Sequence, residues 1–138
     1  MFIKDQWQAP SPPQSSREGS VLSMLLSNTV LWRCLAFLGV LLLLWGGLSS
    51  EPIPQYTANF DKYTHGLAFA CLTAAFLLAF PRWWRSAVVL LMLSLGFGIE
   101  LGQDMFLERR SFDWGDFAVD AVGIAIGLVV VMILRRWA

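Results

Sequence analysis

Long apolar runs alternate with short polar stretches along this chain, and their lengths set the expected architecture. A helix crossing a hydrocarbon core needs about 20 residues at roughly 1.5 Å each. Four segments meet that length: Val30–Leu48, Lys62–Phe80, which stops at Pro81, Ser86–Phe106 and Phe117–Leu134. None shows the strict two-residue alternation of a membrane β-barrel. The pattern predicts an all-α fold, a polytopic integral membrane protein built as a four-transmembrane-helix bundle over residues 30–138. Residues 1–29 form a separate N-terminal region. Its first 20 residues are polar and rich in turn formers, including Pro10, Pro12 and Pro13, so a flexible tail is expected there. No apolar region follows promptly, unlike in a secretory signal. The piece Val21–Thr29 is expected to lie at the interface or to extend the first span.

Composition agrees with that pattern. Of 138 residues, 57% are hydrophobic and only 14% charged, too few charges to cover a water-soluble globule of this size. The mean hydropathy is +0.59. Ten basic and ten acidic residues cancel, so net charge predicts no nucleic-acid partner. Cys34 and Cys71 fall inside apolar runs without metal or redox spacing and read as buried free thiols.

The placement of the charges says more than their sum. Lys4, Arg17, Arg33, Arg82, Arg85, Arg135 and Arg136 belong to the side of the termini, against Lys62, Arg109 and Arg110 opposite. The positive-inside rule therefore puts both termini in the cytoplasm. Trp32, Trp83, Trp84 and Trp137 sit near the same boundary, as interfacial anchors do. Most acids lie on the opposite side: Glu51, Asp61, Glu100, Asp104, Glu108, Asp113, Asp116 and Asp120.

Three stretches carry the candidate chemistry. In DKYTH, Asp61 and His65 are four apart and share a helix face. In IELGQDMF, Glu100, Gln103 and Asp104 occupy one side of the last two turns. In DWGDFAVD, Asp113, Asp116 and Asp120 fall on adjacent turns, on a stripe that continues to Gly123 and Gly127. An ionisable group inside an apolar span costs roughly 2.5–3.5 kcal/mol and faces protein or water. Glu100 and Asp120 should therefore point into the bundle, with His65 as partner to either. The two glycines allow close helix approach.

The ordered blocks Asp61, Lys62, His65 and Phe69, then Glu100 and Gln103, then Arg110, Ser111, Asp113 and Asp116, then Gly123 and Gly127 resemble the VanZ-like family of bacterial membrane proteins. The resemblance covers the chain from Asp61 onward. Phe69 stands where that family usually has tyrosine, and Asp120 where it usually has asparagine. The resemblance implies a place in the bacterial inner membrane and a cell-envelope role, since the family is named from a member linked to resistance to the glycopeptide teicoplanin. It brings no catalytic mechanism.

Two functional classes follow. In the first, the protein binds an anionic lipid-linked envelope precursor, with Lys62 and Arg110 on the head group and the lipid chain between helices. In the second it is an enzyme, with His65 or Glu100 as general base or with the acids and His65 around a divalent metal. No HxxEH-type motif is present and the histidine is alone, so no metal or cofactor is assigned from sequence. A purely structural polar network is the third reading. Membrane lipids are the expected surroundings, and proton-coupled transport through Glu100 and Asp120 would need a homo-oligomer because the helices are few.

Overall fold

The computed structural model describes residues 14–49, 60–107 and 112–137, almost wholly helical and with no strand among them. The helices are α1 (Gln14–Ser27), α2 (Thr29–Gly47), α3 (Phe60–Ala79), α4 (Arg85–Phe106) and α5 (Trp114–Trp137). Helices α2 to α5 are each long and apolar enough to cross a membrane.

The helix ends explain the differences from expectation. Helix α1 begins inside the stretch expected to be a flexible tail, directly after Pro13, and runs to Ser27. Asn28 breaks it from α2 and caps the latter, its side-chain oxygen accepting the Leu31 N–H at 3.1 Å. Helix α5 starts at Trp114 rather than Phe117 because Asp113 is its cap. The Asp113 carboxylate accepts the Gly115 N–H at 2.6 Å, and its carbonyl accepts the Asp116 and Phe117 N–H groups. Helix α3 stops at Ala79 ahead of Pro81, which has no N–H to donate and disfavours helix in the residue before it.

Helix α3 is the hub. It packs most extensively on α5, then on α2 and α4. The α3–α5 contact is close because glycines face backbone. A Cβ at Gly123 would overlap the Gly66 carbonyl oxygen, and one at Gly127 would overlap that of Ala70. The stripe read from sequence on α5 thus lies directly on α3. Against α2, the small residues Ala36, Ala75 and Ala79 pack with Trp32, Phe76 and Phe80 around them.

Polarity is distributed inside out. His65, Thr73, Glu100, Gln103 and Asp120 are buried, whereas Phe37, Trp45, Leu67, Leu90 and Val122 are exposed on the outer faces. A large continuous apolar exterior marks a lipid- or protein-covered surface. Cys34 and Cys71 belong to it: both are exposed, not buried as expected. Their apolar neighbourhood in sequence reflects an outward face of α2 and α3.

The opposite end of the bundle is held by arginines. Arg33 Nε donates to the Ala79 carbonyl at 3.3 Å, and its guanidinium lies 5.4 Å from the Phe80 ring centre. Arg135 Nη2 donates to the Leu77 carbonyl at 2.6 Å. Both serve carbonyls that the last turn of α3 leaves without helical partners, where positive charge is favoured. Trp32 donates its indole N–H to the Leu25 carbonyl at 3.0 Å. Trp84 and Trp137 are exposed.

Candidate functional site

The first turns of α3 and α5 and the last turns of α4 meet at one end of the bundle. Two polar layers form there. In the outer layer Lys62 Nζ lies 2.9 Å from Asp113 Oδ2 and 2.6 Å from Asp116 Oδ1. Gly115 leaves the room for this, since a Cβ there would sit 2.8 Å from Lys62 Nζ. Lys62 was expected to reach an anionic head group, but its charge is committed to two aspartates.

The inner layer is drier. Glu100 is 0% exposed, Asp120 1% and His65 7%. His65 Nδ1 lies 3.4 Å from Asp120 Oδ1, a charge contact at the long limit for a hydrogen bond. One oxygen of Glu100, Oε2, accepts the Asp113 N–H at 3.2 Å and so joins the two layers. The other, Oε1, has no hydrogen-bond partner, and Asp120 Oδ1 has only that long contact with His65 Nδ1. His65, Glu100 and Asp120 each offer a ligand atom, and these atoms all lie within 4.8 Å of one another. Gly96 makes the space: a Cβ there would fall 2.9 Å from Asp120 Oδ2 and 3.3 Å from Phe69 Cζ. Phe69 itself is fully buried beneath the site.

Two expected members stand apart. Gln103 is buried but turns to α2, donating to the Gly47 carbonyl at 2.8 Å, which ties off the end of that helix. Asp104 is exposed and accepts the Phe112 N–H at 3.2 Å. Arg110 and the side chain of Asp61 lie outside the described residues.

A groove of about 450 Å³ runs between α2 and α3. Leu35, Leu42, Leu72 and Ala75 give it apolar walls, Trp32 stands toward one end, and Thr64 and His65 stand at the other. Its volume is within the range of small-molecule sites. Gly39 and Gly46 also line it and are seven residues apart, a spacing visible in the sequence but not read there as a binding face.

The outer layer predicts a pH response. The Lys62 ammonium bonded to Asp113 holds that carboxyl below the usual carboxylate range, with the Gly115 N–H adding to the effect. A depressed pKa contributes stability that is fully present above the unfolded value, about 3.9, and is lost as pH falls through the folded value. Thermal unfolding of purified protein should therefore show a midpoint that drops below about pH 4, and Asp113→Asn should flatten that drop. An unchanged acid limb in the variant would remove Asp113 from the response.

Comparison with known proteins finds no matching family model, no matching curated protein and no matching solved structure, so what the site does must be argued from its own geometry.

Proposed function

We propose that the protein is a multi-pass protein of the bacterial inner (cytoplasmic) membrane, both termini cytoplasmic, that binds an anionic lipid-linked envelope intermediate. The observation carrying this reading is that His65 belongs both to the buried acidic cluster and to the wall of the apolar α2–α3 groove. A lipid chain suits the groove. From Trp32 to Gly47 the α2 wall spans about 22 Å at helical rise, about three quarters of a ~30 Å hydrocarbon core and enough for a chain that reaches past one leaflet. The head group then lies at the His65 end. The envelope assignment comes from the resemblance to the VanZ-like family, and the orientation from the basic residues.

The test is photo-crosslinking in membranes with a diazirine-bearing polyprenyl phosphate. Adducts are expected on α2 and α3 along the groove. Gly46→Leu should reduce them severalfold, because no atom lies within 4 Å of a Cβ at Gly46 and the new side chain fills space rather than colliding. Labelling spread evenly over the outward faces of all four long helices, and indifferent to Gly46→Leu, would end the proposal.

One observation favours a second reading, an enzyme acting on a lipid phosphate ester. His65 and Asp120 are in contact beside Glu100, an arrangement that would orient a neutral imidazole as general base and stabilise the imidazolium it becomes on taking a proton. Turnover of the bound phosphate, absent in His65→Ala, would select it.

A further inference from the structure

We infer that His65, Glu100 and Asp120 form a binding site for a divalent metal ion of the kind that takes mixed nitrogen and carboxylate ligands, such as Zn²⁺ or Mn²⁺. Three helices deliver one ligand each: α3 the imidazole, α4 and α5 the carboxylates. The cluster is not merely acidic. Glu100 Oε1 is a buried oxygen with no hydrogen-bond partner on a side chain 0% exposed, and Asp120 Oδ1, on a side chain 1% exposed, has only the 3.4 Å contact with His65 Nδ1. A buried polar atom left unsatisfied costs about 1–3 kcal/mol, more when charged, and one bare oxygen beside one that is weakly satisfied can share a single cation.

Charge points the same way. Among the described residues at this end, Asp113 and Asp116 share Lys62, which leaves Glu100 and Asp120 with no cation but an imidazole. Two carboxylates in a dry interior must hold protons or bind a cation. The ligand set discriminates between these. Imidazole with two carboxylate oxygens suits Zn²⁺ and related ions, and three protein ligands leave a coordination position open. Ligand atoms around a tetrahedral ion with bonds of about 2.1 Å lie about 3.4 Å apart. The ligand atoms here all lie within 4.8 Å of one another, so binding requires the Asp and Glu side chains to draw in toward that spacing. The Asp113 N–H already orients Glu100 from behind through Oε2, the kind of outer support that metal carboxylates have.

The ion would also answer a difficulty in the lipid reading. Among the described residues Lys62 is paired with two aspartates, so the pocket these form has little to offer a phosphate unless a metal ion supplies the charge. That link rests on the proposed lipid function; the metal site itself does not.

The experiment uses full-length protein purified in detergent. Elemental analysis after dialysis against Zn²⁺ or Mn²⁺ alone should find a stoichiometric ion, and the ion should raise the thermal midpoint of the wild type. Glu100→Gln and Asp120→Asn should each weaken binding by about 100-fold or more, while Asp104→Asn, an exposed acid on the same helix, should bind like wild type. Both variants are near-isosteric, and circular dichroism checks that each is folded. If no ion is retained and either variant melts higher than wild type, the carboxyl groups share protons and the proposal is wrong. Retention unchanged in both variants overturns it equally. Crosslinking with the polyprenyl phosphate is run in parallel with and without chelator. Crosslinking that survives chelation would keep the lipid and remove the ion's part in holding it, and a bound ion without crosslinking would keep the metal site and discard the lipid.

Discussion

Gly123→Val is expected to separate α3 from α5 and to cost the protein about 3 kcal/mol or more of stability. The Cβ at this position would overlap the Gly66 carbonyl oxygen, and the opposing atom is backbone, so no side-chain rotation relieves it. The helices must move apart along their most extensive interface. Inside a bilayer the loss is one of van der Waals contact rather than of hydrophobic burial, because lipid tails are as apolar as the residues they would replace. The site fails with the packing, since His65 on α3 and Asp120 on α5 meet only while these helices touch. Gly127→Val should behave alike through the Ala70 carbonyl. Gly98→Ala, with no atom within 4 Å of its Cβ, is the control and should be neutral or slightly stabilising. Detergent-denaturation curves read the difference. Equal midpoints for Gly98→Ala and Gly123→Val would show that the interface tolerates a side chain.

Lys62→Met is the second large effect, expected near 1–2 kcal/mol. Charge-assisted hydrogen bonds contribute about 1.5–3 kcal/mol, here discounted because the lysine is partly exposed. The contribution should divide unequally. The Asp116 side chain is 13% exposed and its oxygen lies 2.6 Å away, while that of Asp113 is 51% exposed at 2.9 Å. A double-mutant cycle of Lys62→Met with Asp116→Asn should therefore give the larger coupling, and one with Asp113→Asn the smaller. Losses that add without coupling would mean that Lys62 acts only on the general field at that end.

The four long helices were legible because a span is written in length and hydropathy, and each boundary falls within three residues of expectation. The errors have particular causes. Charged and turn-forming residues stop a hydropathy run, but the backbone of α5 continues outward to Asp113, whose cap satisfies its first amides. Residues from Gln14 are too polar to read as a continuous helix, yet they lie in α1. Cys34 and Cys71 were misjudged because hydropathy cannot distinguish a face turned to other helices from one turned outward.

The polar end was legible as a collection and illegible as a set of partners. Helical spacing placed Glu100 and Asp120 on inward faces, and both are buried. That Lys62 would spend its charge on Asp113 and Asp116 depends on contacts across 51 and 54 residues, which no local pattern encodes. The same holds for Gln103, whose reach to Gly47 crosses 56 residues. Arg33 and Arg135 were read as orientation marks, and their bonds to α3 carbonyls became visible only once the helices were side by side.

The pairing of α3 with α5, rather than with a sequence neighbour alone, has a consequence for biosynthesis. A chain threaded into a bilayer in order of synthesis would release α3 and α4 before α5 has been made. During that interval Lys62, His65 and Glu100 lack the aspartates that face them in the finished protein, and the Gly66 backbone has no glycine to lie against. Helix α5, emerging after them, brings the capping aspartate, the counter-ions and the packing stripe together. Synthesis of α5 is thus the step that closes the site, and a ribosome halted before Trp114 would leave α3 and α4 around an unfinished centre.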